Sequence, residues 1–291
     1  MKKSTAIFLF MLMFFFARAQ HAENGPETKQ QRIQIGVSYV FMNLDMKVHD
    51  MSISSVWQDV DFGTDELTND EIDEINSIID RTNTLNGLML EAGMTFYQNP
   101  GSTWVVDGSL MLGIGNSRTK TYNNHTDTSE MVVKSNFSEP CFGVGFDIIH
   151  QFNPQWGLLI RPMAVVTFGS SDEIEDNMYP YVANFTETRD DKFVTFYERV
   201  NLMASYTAGK FKIALGPGLY FAQSHHNYKV ERINNTNGDV LLDEISTDLV
   251  PRSFIDGVAA VEWNFAAPFT LNIFVGAGRD ITARAGLYYK F

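Results

Sequence analysis

Ile281-Thr282-Ala283-Arg284-Ala285-Gly286-Leu287-Tyr288-Tyr289-Lys290-Phe291 ends the chain. Ile281, Ala283, Ala285, Leu287, Tyr289 and Phe291 alternate with Thr282, Arg284, Gly286, Tyr288 and Lys290. Side chains along a strand point to opposite faces in turn, so this stretch predicts a strand with one wholly apolar face and one mixed face. A terminal strand of this kind is an exposed apolar edge unless another strand pairs with it. Pairing it with the first strand, Ile33–Phe41, removes both edges of the sheet.

Nine further segments alternate in the same way: 33–41, 87–96, 104–115, 142–152, 156–168, 194–206, 211–221, 255–265 and 271–277. With the terminal strand they make ten. The connections between them are unequal. Gln98 to Ser102, Asn153 to Gln155, Thr207 to Lys210 and Ala266 to Pro268 are tight, and Gly278 to Asp280 is a short turn. The connections 45–84, 118–139, 169–192 and 223–252 are long. Tight turns at one end and long loops at the other, on an even strand count, are the pattern of a transmembrane barrel. Phe96, Trp104, Phe152, Trp156, Tyr206, Phe211, Trp263, Phe265, Phe269, Tyr289 and Phe291 flank the tight turns or the C-terminus, as an interfacial aromatic belt would. Pro162 and Pro217 fall inside strands and predict bulges.

Over residues 31–291 this pattern resembles the bacterial outer-membrane β-barrels, whose last strand typically ends in Phe. The resemblance implies an all-β, antiparallel up-and-down transmembrane barrel of about ten strands, with short periplasmic turns and long outer loops. It also implies that Leu287, Tyr289 and Phe291 are the C-terminal signal read by the barrel-assembly machinery. The expected partners are outer-membrane lipid and that machinery.

Residues 1–19 read as a cleaved secretory signal: Lys2 and Lys3, an apolar run from Ala6 to Phe16, then Ala17-Arg18-Ala19 before the cut. Residues 20–31 are a polar leader, and 32–291 the barrel domain. No segment approaches the ~18 consecutive apolar residues of a membrane-spanning helix, which leaves a closed barrel as the way to cross a bilayer. Losing Lys2, Lys3 and Arg18 takes the formal charge from −13 to −16. So acidic a chain has no footprint for nucleic acid. Cys141 is the single cysteine, so no intrachain disulfide forms, and its place on a strand reads as a buried thiol.

The inward face carries Glu91, Asp107, Asp147, Asp256 and Glu262 against Arg161, Arg199, Lys212 and Arg284. Counting back from the tight turn sets Asp147 opposite Arg161. Charges in a narrow lumen must be paired or hydrated, so these residues predict an ion-pair network that fills and braces the bore. A narrow porin-like channel lined by the same charges is the alternative.

The connections are acidic. The first holds Asp45, Asp50, Asp59, Asp61, Asp65, Glu66, Asp70, Glu71, Asp73, Glu74 and Asp80; the third holds Asp172, Glu173, Glu175, Asp176, Glu187, Asp190 and Asp191. Within the first, Thr68-Asn69-Asp70-Glu71 reads as a capping box ahead of Ile72, Ile75, Ile78 and Ile79 at helical spacing, predicting a short helix packed over the mouth. Asp59, Asp61, Asp65 and Glu66 are oxygen donors for a divalent cation, but they lack EF-hand spacing and read as a solvated acidic loop. No cofactor or metal site is expected.

Ser224, His225, His226 and Asn227 place a hydroxyl beside imidazoles, the beginnings of a nucleophile–base pair at the entrance to the fourth loop. The sequence identifies no third member, so no catalytic residue is assigned. Ten strands also resemble the omptin proteases, but no Asp-x-His occurs in the chain and their functional residues have no counterpart here. A structural role, or interaction through the loops, is the expected function; a hydrolase using His225 or His226 is a second alternative.

Overall fold

The computed structural model describes residues 33–57, 60–98, 102–123, 128–134, 139–171, 173–176 and 185–291. The signal, the leader, Asp59, Asp172 and residues 177–184 of the third connection lie outside them. The strands are β1 (Ile33–Trp57), β2 (Val60–Glu66), β3 (Ile79–Gln98), β4 (Trp104–Asn123), β5 (Thr128–Lys134), β6 (Glu139–Gln151) and β7 (Trp156–Ser171). They continue with β8 (Glu173–Asp176), β9 (Phe185–Ala208), β10 (Phe211–Asn234), β11 (Val240–Pro251), β12 (Ile255–Ala266), β13 (Phe269–Ala277) and β14 (Ile281–Lys290). One helix, α1 (Asn69–Ile78), lies between β2 and β3.

Ten strands close a ring in the order β1, β3, β4, β6, β7, β9, β10, β12, β13, β14, every pair antiparallel. The last strand pairs with the first from Gln34↔Lys290 to Asn43↔Ile281, and the Phe291 amide donates to the Ile33 carbonyl at 2.9 Å. The sheet is therefore an antiparallel up-and-down β-barrel, as the alternation predicts. The β9–β10 turn is made by Gly209, whose φ of +58° suits glycine.

The connections expected as long loops are mostly wall instead. β9 and β10 remain paired from Phe211↔Ala208 to Asn234↔Phe185, so much of 169–192 and 223–252 is strand. β1 continues to Trp57, pairing with β11 on one side and β2 on the other. The alternation persists there, but the outward face turns polar at Gln223, His225, Asn227, Lys229 and Glu231, which hides a strand from a hydropathy reading. Above the short β12–β13–β14 segment, β11 alone bridges β10 and β1, so one strand replaces three in the wall.

The prolines do not make bulges. Leu215↔Ala204 and Gly218↔Asn201 keep one register across Pro217, as Gly145↔Met163 and Ile148↔Ile160 do across Pro162. Each proline removes a ladder donor without inserting a residue.

Helix α1 has the predicted capping box: Thr68 Oγ1 accepts from the Glu71 amide, and the Glu71 carboxylate accepts from the Thr68 amide. These bonds hold the exposed Glu71 carboxyl below the ordinary range. The helix packs on its own barrel: Ile72 is buried in the interior, and Asn76 exchanges two bonds with the Val48 backbone at 2.9 and 2.8 Å.

Candidate functional site

Outside, the wall carries an apolar band. Leu110, Leu112, Leu215, Leu219 and Ile255 each leave more than half of their surface exposed, an arrangement water would penalise. On β10 the band runs from Phe211 to Phe221. At ~3.3 Å per residue and a tilt of ~40° that is about 25 Å of height, the thickness of a barrel's lipid-facing zone. The belt aromatics sit at its turn end and touch in sequence: Phe211–Trp263 at 5.6 Å, Trp263–Phe265 at 5.3 Å, Phe265–Phe269 at 6.2 Å, Phe269–Tyr289 at 5.3 Å and Tyr289–Phe291 at 4.8 Å.

The interior is layered. At the turn end lies a cavity of about 650 Å³ lined by Glu91, Asp107, Asp147, Arg161, Lys212, Glu262, Arg284 and Lys290. Arg161 holds Asp147 in a two-pronged pair at 2.6 and 2.7 Å. Arg284 pairs with Glu91, which also accepts from Ser38 and, at 3.0 Å, from Tyr288. Asp107 accepts from Thr95 at 2.7 Å. Glu262 pairs at 2.9 Å with Lys290, a partner the sequence reading left out although its position on the inward face of β14 was visible.

Above this cavity sits Arg199, fully buried. Its guanidinium donates to Asp256 at 2.5 and 2.6 Å, Asn201 at 2.6 Å, Tyr197 at 3.0 Å and Thr282 at 2.7 Å, and lies 5.0 Å from the centre of the Phe274 ring. Thr282 is on β14 and Arg199 on β9, so the cluster ties opposite walls together. Between the Arg161 and Arg199 levels remains a void of about 20 Å³, room for about one water.

The middle of the bore is apolar, which corrects the expectation that ion pairs fill it. Val40, Met42, Leu44, Met46, Leu85, Met89, Met111, Cys141, Val165, Tyr197, Tyr220 and Leu249 form one cluster with Ile72 of α1. Met89, Met111 and Tyr220 each lie between two apolar outward residues, so there the strands lose the polar-in signature, while Leu44, Met46 and Leu85 fall outside the segments expected as strands. A second interior cluster joins Leu159, Met203, Ala214, Val258, Ala260 and Phe274.

Beyond the apolar band the interior is polar again. Ser224 Oγ lies 2.9 Å from His226 Nε2, and His226 Nδ1 lies 2.7 Å from Asp191 Oδ2. Ser224 Oγ is also 2.7 Å from Thr195 Oγ1 and accepts from Asn83 Nδ2 at 3.4 Å. Asp191 is the third member that sequence reasoning missed. The β9–β10 register pairs Ser224↔Thr195 and His226↔Phe193, so Asp191 is the next inward residue along β9. His225 points outward instead and pairs with Asp248 at 2.7 Å. The two histidines therefore occupy opposite faces of the wall.

No protein-family model matches the sequence, and no curated protein matches it. Solved structures similar to it include the outer membrane protease OmpT from Escherichia coli: TM-score 0.43, 8% identity, 92% of this chain and 100% of that one. The transport unit of the autotransporter AIDA-I from Escherichia coli is similar at TM-score 0.41 and 10% identity, over 94% of this chain and 97% of that one. The translocator domain of the autotransporter NalP from Neisseria meningitidis is similar at TM-score 0.39 and 9% identity, over 99% and 98%. The barrel fold itself follows from the ten paired strands.

Removing one partner of a buried ion pair strands the other charge and costs about 3–5 kcal/mol. Asp256→Ala should therefore lower the temperature at which the folded barrel loses its fast gel migration, and Arg199→Met added to it should recover much of the loss. Equal melting of Asp256→Ala and wild type on an unboiled-gel temperature series would contradict the bracing role of the pair.

Proposed function

We propose that the chain is an integral outer-membrane barrel with a closed lumen, acting through the wall and helix that project beyond the bilayer. The apolar cluster inside the bore carries this reading. An ion crossing it would have to leave its water among Met42, Met89 and Met111, whose side chains do not replace the lost hydration, while the hydroxyls of Tyr197 and Tyr220 are already committed to Arg199 and Asp280. Arg199 and its four hydrogen-bond partners, joined across the bore, sit between this cluster and the charged cavity at the turn end.

The projecting part is acidic. Asp65, Glu66, Asp70, Glu71, Asp73 and Glu74 are exposed on and beside α1, a surface suited to a basic partner or to divalent cations in solution. Leu287, Tyr289 and Phe291 point outward at the seam, where the assembly machinery would meet them before the ring closes.

Two outcomes follow. The refolded protein should give no unitary conductance steps in planar bilayers; steady steps from wild type would contradict the closed lumen. Deleting Phe291 removes the bond to Ile33 and the last belt ring, and should reduce the amount of heat-modifiable barrel recovered from outer membranes several-fold. Unchanged recovery would sink the assembly role of this residue.

A further inference from the structure

We propose that Ser224, His226 and Asp191 form a nucleophile–base–carboxylate triad that hydrolyses water-soluble carboxylic esters inside the projecting part of the barrel. The distances, 2.9 Å from Ser224 Oγ to His226 Nε2 and 2.7 Å from His226 Nδ1 to Asp191 Oδ2, are those of a working Ser–His–Asp arrangement. Asp191 holds the imidazole proton on Nδ1, which leaves Nε2 to accept. Thr195 and Asn83 each have a hydrogen to give Ser224 Oγ, so the serine's own proton is directed at the base.

A tetrahedral intermediate also needs donors for its oxyanion. The backbone amides around Ser224 lie within the β9–β10–β11 ladders, so side chains must supply them. Asn83 Nδ2 already reaches the serine oxygen. Arg81, the next inward residue on β3, is 8% exposed, and its Nη1 is buried with no hydrogen-bond partner among the described residues. A buried donor without an acceptor is unfavourable, and a substrate oxygen would relieve it. Asp191 Oδ1 is likewise buried without a partner.

In the reaction Ser224 Oγ attacks the ester carbonyl carbon as its proton passes to His226 Nε2. Asn83 and Arg81 take the oxyanion. The carbon–oxygen bond to the leaving group breaks, and Nε2 protonates the departing alkoxide. Water then attacks the acyl-serine, gives its proton to Nε2, and Ser224 recovers it as the acid leaves. One ester and one water give one acid and one alcohol.

Position sets the substrate class. The triad faces the interior and lies beyond the apolar band, so an acyl chain within the bilayer cannot reach it. Ser224 has no exposed surface, and Val133, Ile174, Tyr228, Val230 and Ile245 form an apolar cluster between it and the rim of β10 and β11. Entry therefore requires that cluster to open, and narrowing its side chains should speed the reaction.

The test treats the full refolded chain with a fluorophosphonate probe, maps the adduct by mass spectrometry, and follows p-nitrophenyl acetate hydrolysis. Ser224 should be labelled, faster in Ile245→Ala, and Ser224→Ala should lose both labelling and hydrolysis. Asp191→Asn, which favours the wrong tautomer, should lower the rate by up to about 10⁴-fold while the barrel stays heat-modifiable. No adduct at Ser224 in either folded wild type or folded Ile245→Ala would overturn the proposal, as would hydrolysis unchanged in Ser224→Ala. Neither readout depends on whether the lumen conducts.

Discussion

Closure of the backbone ladder is the constraint from which the rest of this structure follows. Lipid offers no partner to an unpaired amide or carbonyl, so a sheet that faces it must have no edge. The ten-residue register between β1 and β14 meets that demand, from Gln34↔Lys290 to Asn43↔Ile281. Once the ring is closed, outward positions are free to be apolar and inward positions face a bore of fixed width. Where β12 to β14 stop, β11 takes their place between β10 and β1, so this part of the wall stays paired beyond the bilayer level.

A ten-stranded ring leaves more interior than backbone alone can fill. This chain fills it in layers whose chemistry follows access to water. Charges that retain water or a partner lie in the 650 Å³ cavity at the turn end. Arg199, the most deeply buried arginine among the described residues, has hydrogen-bond acceptors from Asp256, Asn201, Tyr197 and Thr282, which offset the cost of taking a guanidinium out of water. The middle is given to methionine, valine and leucine, which need no partners; flexible methionines suit an irregular space between curved walls. Above that layer, hydroxyls, an imidazole and carboxylates reappear, held by strands that have already left the apolar band.

The wall was legible because period two survives in every strand and the tight turns fix register by counting. That is how Asp147 met Arg161, and how the terminal strand met Ile33–Phe41. The capping box before Ile72 was equally local. Two features were not legible, for different physical reasons. The plug is apolar on a face expected to be polar, so Met89 between Leu88 and Leu90, and Met111 between Leu110 and Leu112, interrupt the alternation locally and carry no inward signal. The strand extensions are polar on a face expected to be apolar, so residues 185–192 and 223–234 resembled loop. Reading them as loop stopped the count from the Gly209 turn before it reached Asp191, thirty-five residues from His226 in sequence. Continued to that point, the same register would have set Asp191 diagonally across from the imidazole.

The chain's single cysteine is a native probe of the central claim, a dry and closed bore. Cys141 lies inside the apolar cluster and is 1% exposed. The most direct measurement is the rate at which a small charged methanethiosulfonate modifies Cys141 in the bilayer-embedded protein, relative to the urea-unfolded chain. A closed lumen predicts protection by several orders of magnitude from both sides of the bilayer. Modification at a rate near that of the unfolded chain would show water at the centre of the barrel and contradict the account.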